Sequence, residues 1–137
     1  ERLRFVPSTI IKSIKSAESL NGKDYEITGS GNIFRDFIYV DDFCNEIMAY
    51  MKSDDYKEVL LRSKVGLVSL VDIVNIIDTI NNTRGRFDTY EKDGDHFKLD
   101  YRELEAAYKN LKIKNETPLI SGLKKTNDWI RSELQNV

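Results

Sequence analysis

A glycine turn, followed within four residues by an arginine, a short apolar run and two adjacent aspartates, constrains this chain more than any other stretch. The residues are Gly29-Ser30-Gly31 and then Arg35-Asp36-Phe37-Ile38-Tyr39-Val40-Asp41-Asp42. Gly29 reads as the start of a hairpin, because glycine supplies the backbone freedom that a tight turn needs. Phe37 to Val40 reads as a strand. Asp41 or Asp42 reads as the cap of the next helix, where a carboxylate also meets the positive end of the helix dipole. In this order Arg35 is held at the rim of a sheet. Its planar fork of donors suits a diphosphate better than a lysine would. On the bare residue, a salt bridge to Asp36 or Asp41 is the better reading.

The rest of the chain alternates helices with short strands. A helix opens at Pro7-Ser8, carries Ile10, Ile11, Ile14 and Ala17 on one face, and stops at Asn21-Gly22. Tyr25 to Thr28 forms a strand before the glycine turn. The helix after Asp41-Asp42 is expected to bury Phe43, Cys44, Ile47, Met48 and Met51, which leaves Cys44 inert in the core. Glu58 to Leu61 is a strand. Ser69-x-x-Asp72 is a capping box and starts a helix whose apolar face is Leu70, Ile73, Val74, Ile77 and Ile80. Asn81-Asn82 ends it. Phe87 to Glu91 is a further strand, Lys92-Asp93-Gly94-Asp95 a turn, and Tyr101 to Leu111 a short helix. Thr117 caps a last helix with Pro118 at its first position. That helix is expected to bury Leu119, Ile120, Leu123, Ile130 and Leu134. Four or five helices with a few short strands are too little for a dinucleotide-binding sheet, which needs repeated strand-crossover-strand units.

Composition narrows the function classes. With 137 residues the chain makes one domain, and a net charge of −2 lacks the basic face that nonspecific nucleic-acid binding needs. No apolar run reaches the length of a membrane span. One cysteine makes no internal disulfide and suits a reducing cytosol. His96, the single histidine, makes no metal site beside Asp95. Gly29-Ser30-Gly31-Asn32-Ile33-Phe34 lacks the last glycine of a dinucleotide fingerprint.

The string from Gly29 to Asp42 resembles the C-terminal half of the extended short-chain dehydrogenase/reductase family, the NAD(P)-dependent nucleotide-sugar epimerases and dehydratases. There a glycine turn is followed by Arg-Asp-aromatic-hydrophobic-aromatic-Val-x-Asp. The resemblance runs from Arg4-Phe5-Val6-Pro7 to Trp129. It includes Lys92-Asp93-Gly94-Asp95, where the family carries Arg-Pro-Gly-Asp, and the closing Thr117-Pro118-Leu119 to Gly122-Leu123. Between Glu58 and Ser69-Leu70 the family's spacing is kept, but Leu61, Ser63 and Val65 replace its asparagine and glycines.

The resemblance implies an α/β (α+β) fold: a small helix-rich domain with short strands, the substrate-binding lobe of such an enzyme, spanning residues 1–137. It implies that Arg35 contacts the diphosphate of a nucleotide sugar, that Lys92 adds a second contact as a point charge, and that Asp95 reaches a ribose hydroxyl. Tyr25 and Ile27 would lie on the strand beside the base and meet it mainly through backbone groups. NAD or NADP would be held by an N-terminal Rossmann half absent from this sequence. The catalytic Tyr-x-x-x-Lys pair belongs to that half, and none is expected here. The fragment alone is therefore expected to be inactive. The parent enzyme is expected to be a cytoplasmic homodimer acting in nucleotide-sugar or surface-polysaccharide biosynthesis. Lys92, Leu61 and the lost glycines favour an alternative: a noncatalytic binding or interaction module that keeps the fold.

Overall fold

The computed structural model describes residues 4–20, 22–52, 63, 66–89 and 116–136. Among these residues lie four helices and four short strands, in the order α1 (Phe5–Glu18), β1 (Asp24–Ser30), β2 (Phe34–Asp36), α2 (Val40–Met51), β3 (Leu67–Ser69), α3 (Leu70–Asn81), β4 (Arg84–Thr89) and α4 (Leu119–Gln135). The expected elements at 58–61, 92–95 and 101–111 fall outside the described residues.

α3 is the centre of the packing. Ser69 caps it as the sequence predicts: its Oγ accepts from the Asp72 N–H at 3.1 Å and donates to the Asp72 carboxylate at 2.6 Å. Asn82, in the left-handed region at φ 55°, ends it. Its apolar stripe faces two ways. Ile73 and Ile77 meet Ile10 and Ile14 of α1 and Leu123 and Ile130 of α4. Val74 meets Tyr25 and Ile27 of β1. Phe5 and Phe87 stack at 6.5 Å along the edge of that second cluster. The three-helix core also holds a polar chain. Ser13 and Thr83 hydroxyls are 2.7 Å apart, Asn81 donates to the buried Asn127 at 2.8 Å, and Arg131 donates to Asn81 at 3.0 Å. Buried polar groups satisfied in this way fix one arrangement of the helices.

The strands differ from the sequence expectation. β1 and β2 do not form a hairpin. β1 pairs with β4 in parallel, Tyr25 opposite Gly85 and Ile27 opposite Phe87, while β2 pairs with β3 antiparallel. The second strand is Phe34–Asp36 rather than Phe37–Val40, and Val40 already begins α2. Phe37, Ile38 and Tyr39 are apolar because they line a cleft, not because they pair in a sheet.

α2 also departs from expectation. Tyr39 takes the cap position, so Asp41 and Asp42 lie inside the first turn. Cys44 is exposed, as are Phe43, Met48 and Met51 of the stripe assigned to the core. The buried residue of α2 is Glu46. In α4, Pro118 rather than Thr117 holds the cap position, and Ile120 and Leu134 are exposed. Thr117 does not cap because Asp42 claims it.

Ser69→Ala should lower unfolding stability by about 1 kcal/mol, the usual worth of a helix cap, and Ser69→Asp should retain most of it. Urea denaturation of the two variants beside wild type measures this.

Candidate functional site

The approach to Arg35 is built from the end of β1. The pairing with β4 slips between Ile27 and Ser30, so β1 bulges at Gly29, which sits at φ 109°. The Asp88 carboxylate of β4 accepts the freed Gly29 N–H at 2.8 Å. Glycine suits this position because other side chains rarely adopt such a φ. Two residues on, Gly31 is buried against α3 and β4. A Cβ there would collide with Val71 and lie 2.9 Å from the Phe87 ring. The close approach lets the first turn of α3 hold the chain. The Val71 N–H donates to the Gly31 carbonyl at 3.1 Å and the Leu70 N–H to the Ile33 carbonyl at 2.9 Å. These donors would otherwise be unpaired at a helix start.

The chain then enters β2, where Arg35 stands opposite Val68. Strand alternation puts Phe34 and Asp36 on one face and Arg35 on the other, exposed. The Arg35 guanidinium donates to the Phe34 carbonyl at 2.8 Å. Among the described residues no carboxylate pairs with it. Asp36 turns the opposite way and accepts the Ser63 N–H at 3.2 Å. The salt bridge to Asp36 or Asp41 is therefore not formed, and the side chain of Arg35 is exposed.

Tyr25 and Ile27 point inward from β1 and are buried. The Tyr25 hydroxyl donates to Asp78 at 2.9 Å, and Asp78 also accepts from the Thr83 hydroxyl and the Gly85 N–H. Burial, reinforced by the bond to Asp78, pushes the Tyr25 phenol well above its ordinary range. These two side chains belong to the core, and the backbone of the strand pairs with β4. Lys92 and Asp95 lie outside the described residues.

An apolar cleft of about 220 Å³ opens between the start of α1, residues 37–39 and α4, lined by Val6, Phe37, Tyr39, Leu119 and Leu123 among others. Arg35 does not line it. Asp42 closes one side by accepting both the N–H of Thr117 at 2.6 Å and its hydroxyl at 3.1 Å, so the entry to α4 is fastened to α2. Sequence reasoning missed this clasp, along with Asp88 and Asp78. The Asp42–Thr117, Asp88–Gly29 and Asp78–Tyr25 pairings span 75, 59 and 53 residues, and short-range spacing carries no signal for them.

No described glycine turn runs from a strand into a helix as a dinucleotide loop does; Gly29-Ser30-Gly31 leads into β2. Among the described residues no group of three metal-binding side chains comes together, and no helix is long and apolar enough to cross a membrane. One expectation needs correction from the sequence itself. A Tyr-x-x-x-Lys spacing does occur, Tyr108 to Lys112. It lies outside the described residues and after both Arg35 and Lys92, whereas in the resembling family the pair precedes the corresponding positions.

Neither a protein-family model nor a curated protein matches the sequence. Solved structures do match the fold. A GDP-L-fucose synthetase from Naegleria fowleri superposes with a TM-score of 0.80 at 22% identity, over 98% of this chain and 41% of that one. A UDP-glucose 4-epimerase from Thermotoga maritima, with UDP-glucose, gives 0.72 at 21% identity over 94% and 40%. A dTDP-glucose 4,6-dehydratase from Bacillus anthracis, in complex with NAD, gives 0.74 at 15% identity over 96% and 40%. The chain has the fold of part of these enzymes. It spans about two-fifths of their length. The described helices and short strands are thus those of a recurring unit found within nucleotide-sugar enzymes.

Because the Tyr25 phenol is held neutral in the folded chain, its contribution to stability is complete below pH 10 and is lost as pH rises above that. Tyr25→Phe should be less stable than wild type at neutral pH, through the loss of the bond to Asp78, and should lose less stability on further alkalisation. Denaturant melts at pH 8 and pH 11 compare the two.

Proposed function

We propose that this chain is the nucleotide-sugar-binding portion of an NAD(P)-dependent epimerase or dehydratase, with Arg35 as a diphosphate contact and Lys92 and Asp95 in the same cleft. The open guanidinium of Arg35, unpaired with any described carboxylate, carries the proposal. The parallel register supports the wider constellation. Ser30 of β1 stands opposite Thr89 of β4, so the two strands leave the sheet at the same end. Arg35 follows Ser30 by five residues and Lys92 follows Thr89 by three. At about 3.5 Å per extended residue, neither segment exceeds roughly 18 Å. Two cations suit the charge of a diphosphate better than one in a partly desolvated site. Asp95 then accepts from a sugar hydroxyl. The dinucleotide and the hydride chemistry belong to the remaining part of the enzyme, in keeping with the NAD and UDP-glucose present in the matched structures.

In the complete enzyme, Arg35→Ala should weaken binding of the nucleoside diphosphate about tenfold or more, the worth of one charged hydrogen bond, and Arg35→Lys should recover part of it. Titration calorimetry with UDP, GDP and dTDP reads both. Unchanged affinity in folded variants returns Arg35 to a surface role. On the same instrument Lys92→Arg should tighten binding and Asp95→Asn should weaken it. The chain of 137 residues alone should bind neither NAD nor NADP. A micromolar dissociation constant for either would contradict its assignment to substrate binding.

A further inference from the structure

The two edges of the β1–β4 pair are finished differently. α1 covers the outer edge of β1. Lys12 donates to the Glu26 carbonyl at 2.9 Å, and the Ser16 hydroxyl to the Asp24 carbonyl at 3.1 Å. A lysine and a helix over a strand edge keep other chains from pairing there. Among the described residues no strand pairs with the outer edge of β4. Alternation fixes which groups that edge presents. The Arg84 N–H turns inward and donates to the Lys23 carbonyl at 2.8 Å, so the Gly85 N–H turns outward, where Asp78 accepts it at 2.8 Å. By the same alternation Phe87 turns its N–H and its carbonyl outward, and Thr89 does likewise. The side chains of Arg86 and Asp88 are exposed on one face, and Phe87 is half-buried on the other.

We propose that the outer edge of β4 pairs, antiparallel and about a two-fold axis at Phe87, with β4 of a second copy of this chain. Each Phe87 N–H then donates to the Phe87 carbonyl of the other copy, and each Thr89 N–H to the Gly85 carbonyl across from it. This register asks Gly85 only to accept, which suits it, because Asp78 already holds its N–H. The Thr89 carbonyl is left to solvent. The same register sets Arg86 opposite Asp88 of the second copy, twice by symmetry. Opposite charges directly across a strand pair stabilise it, and like charges in those places oppose it. Arg86 holds Asp24 through one nitrogen, and Asp88 holds the Gly29 N–H through one oxygen. A guanidinium keeps further donors and a carboxylate a further acceptor, so both remain able to pair across the axis. An edge that complements itself in hydrogen bonds and in charge fits its own copy better than a peptide of unrelated sequence. The contact is short, Gly85 to Thr89 on each side, and a dissociation constant on the order of 100 µM is expected.

Sedimentation equilibrium of the 137-residue chain, from about 10 µM to about 1 mM, reads the association. The weight-average mass should rise toward that of a dimer over this range. Thr89→Pro removes an outward N–H that the β1–β4 ladder does not use. It should weaken association about tenfold or more and leave the circular dichroism of the fold unchanged. Arg86→Asp alone and Asp88→Arg alone set like charges opposite each other, and each should weaken association about tenfold or more. Mixed in equal amounts, these two single variants face each other with opposite charges at both places. The mixture should associate to within about threefold of wild type. Purely local roles of Arg86 and Asp88 predict no recovery on mixing, because each variant still lacks its own bond to Asp24 or to Gly29. A chain that stays monomeric to about 1 mM overturns the proposal. So does association that Thr89→Pro leaves unchanged, or a mixture that associates no better than either variant alone.

Discussion

Two backbone hydrogen bonds from the first turn of α3 tie the two described strand pairs to one another. β1 with β4, and β2 with β3, are separate two-stranded sheets with no ladder between them. Two strands alone are marginal in water. What joins the pairs is the turn at residues 31–33, whose carbonyls accept from Leu70 and Val71. α3 supplies these donors only because Ser69 ends β3 and caps the helix in the same residue. The donors sit at the positive end of the helix dipole, which favours the carbonyls they hold. Gly31 is the residue that lets the turn come close enough. A methyl group there would push the turn away from Val71 and Phe87, and β2 would lose its anchorage with it.

Legibility in the sequence followed the range of the interaction. The start of α3 was legible because a capping box is local: Ser69 and Asp72 are one turn apart. Its buried face was legible for the same reason, since Ile73, Val74 and Ile77 repeat at helical spacing. The strand before α2 was misplaced by three residues. Phe37-Ile38-Tyr39-Val40 has the composition of a strand, yet its apolar side chains serve a cleft and a helix start. Periodicity could not tell these apart, because a short apolar run fits either. α2 shows a different limit. Its stripe is apolar, as the spacing predicts, and yet Phe43, Met48 and Met51 are exposed. Helical spacing says which residues share a face; it does not say what that face meets.

The candidate site was legible as a motif and not as a geometry. Arg35 was identifiable from its neighbours, but whether Asp36 would neutralise it depended on strand alternation. Moving the strand from 37–40 to 34–36 settles that, since it sends Arg35 and Asp36 to opposite faces. Asp88 had no signal at all. Its role exists only once β4 lies parallel to β1 with a bulge facing it, a relation spanning 59 residues. Tyr25 illustrates the converse. The resemblance puts it on the strand beside the base, meeting it mainly through backbone groups, and the fold commits its hydroxyl to Asp78.

The placement of these groups also separates binding from folding. Arg35 is exposed on a three-residue strand and bonds to its neighbour's carbonyl, so its side chain contributes little to stability; surface substitutions of this kind usually change it by about 0.5 kcal/mol or less. Tyr25 and Asp78 stand at the other extreme, where one carboxylate satisfies a phenol, a hydroxyl and a backbone N–H. Removing that carboxylate would leave several part-buried donors without a partner. Between them lies the turn at 29–33, rigid through Asp88 on one side and α3 on the other. It ties the open strand to the core through backbone hydrogen bonds. Under the proposed function, little loop ordering would remain to be done when an anion arrives, and more of the charge-assisted bond would appear as affinity. That economy would require a turn held from both sides beneath an exposed guanidinium, and the hydrogen bonds of Gly29, Gly31 and Ile33 hold the turn in this way.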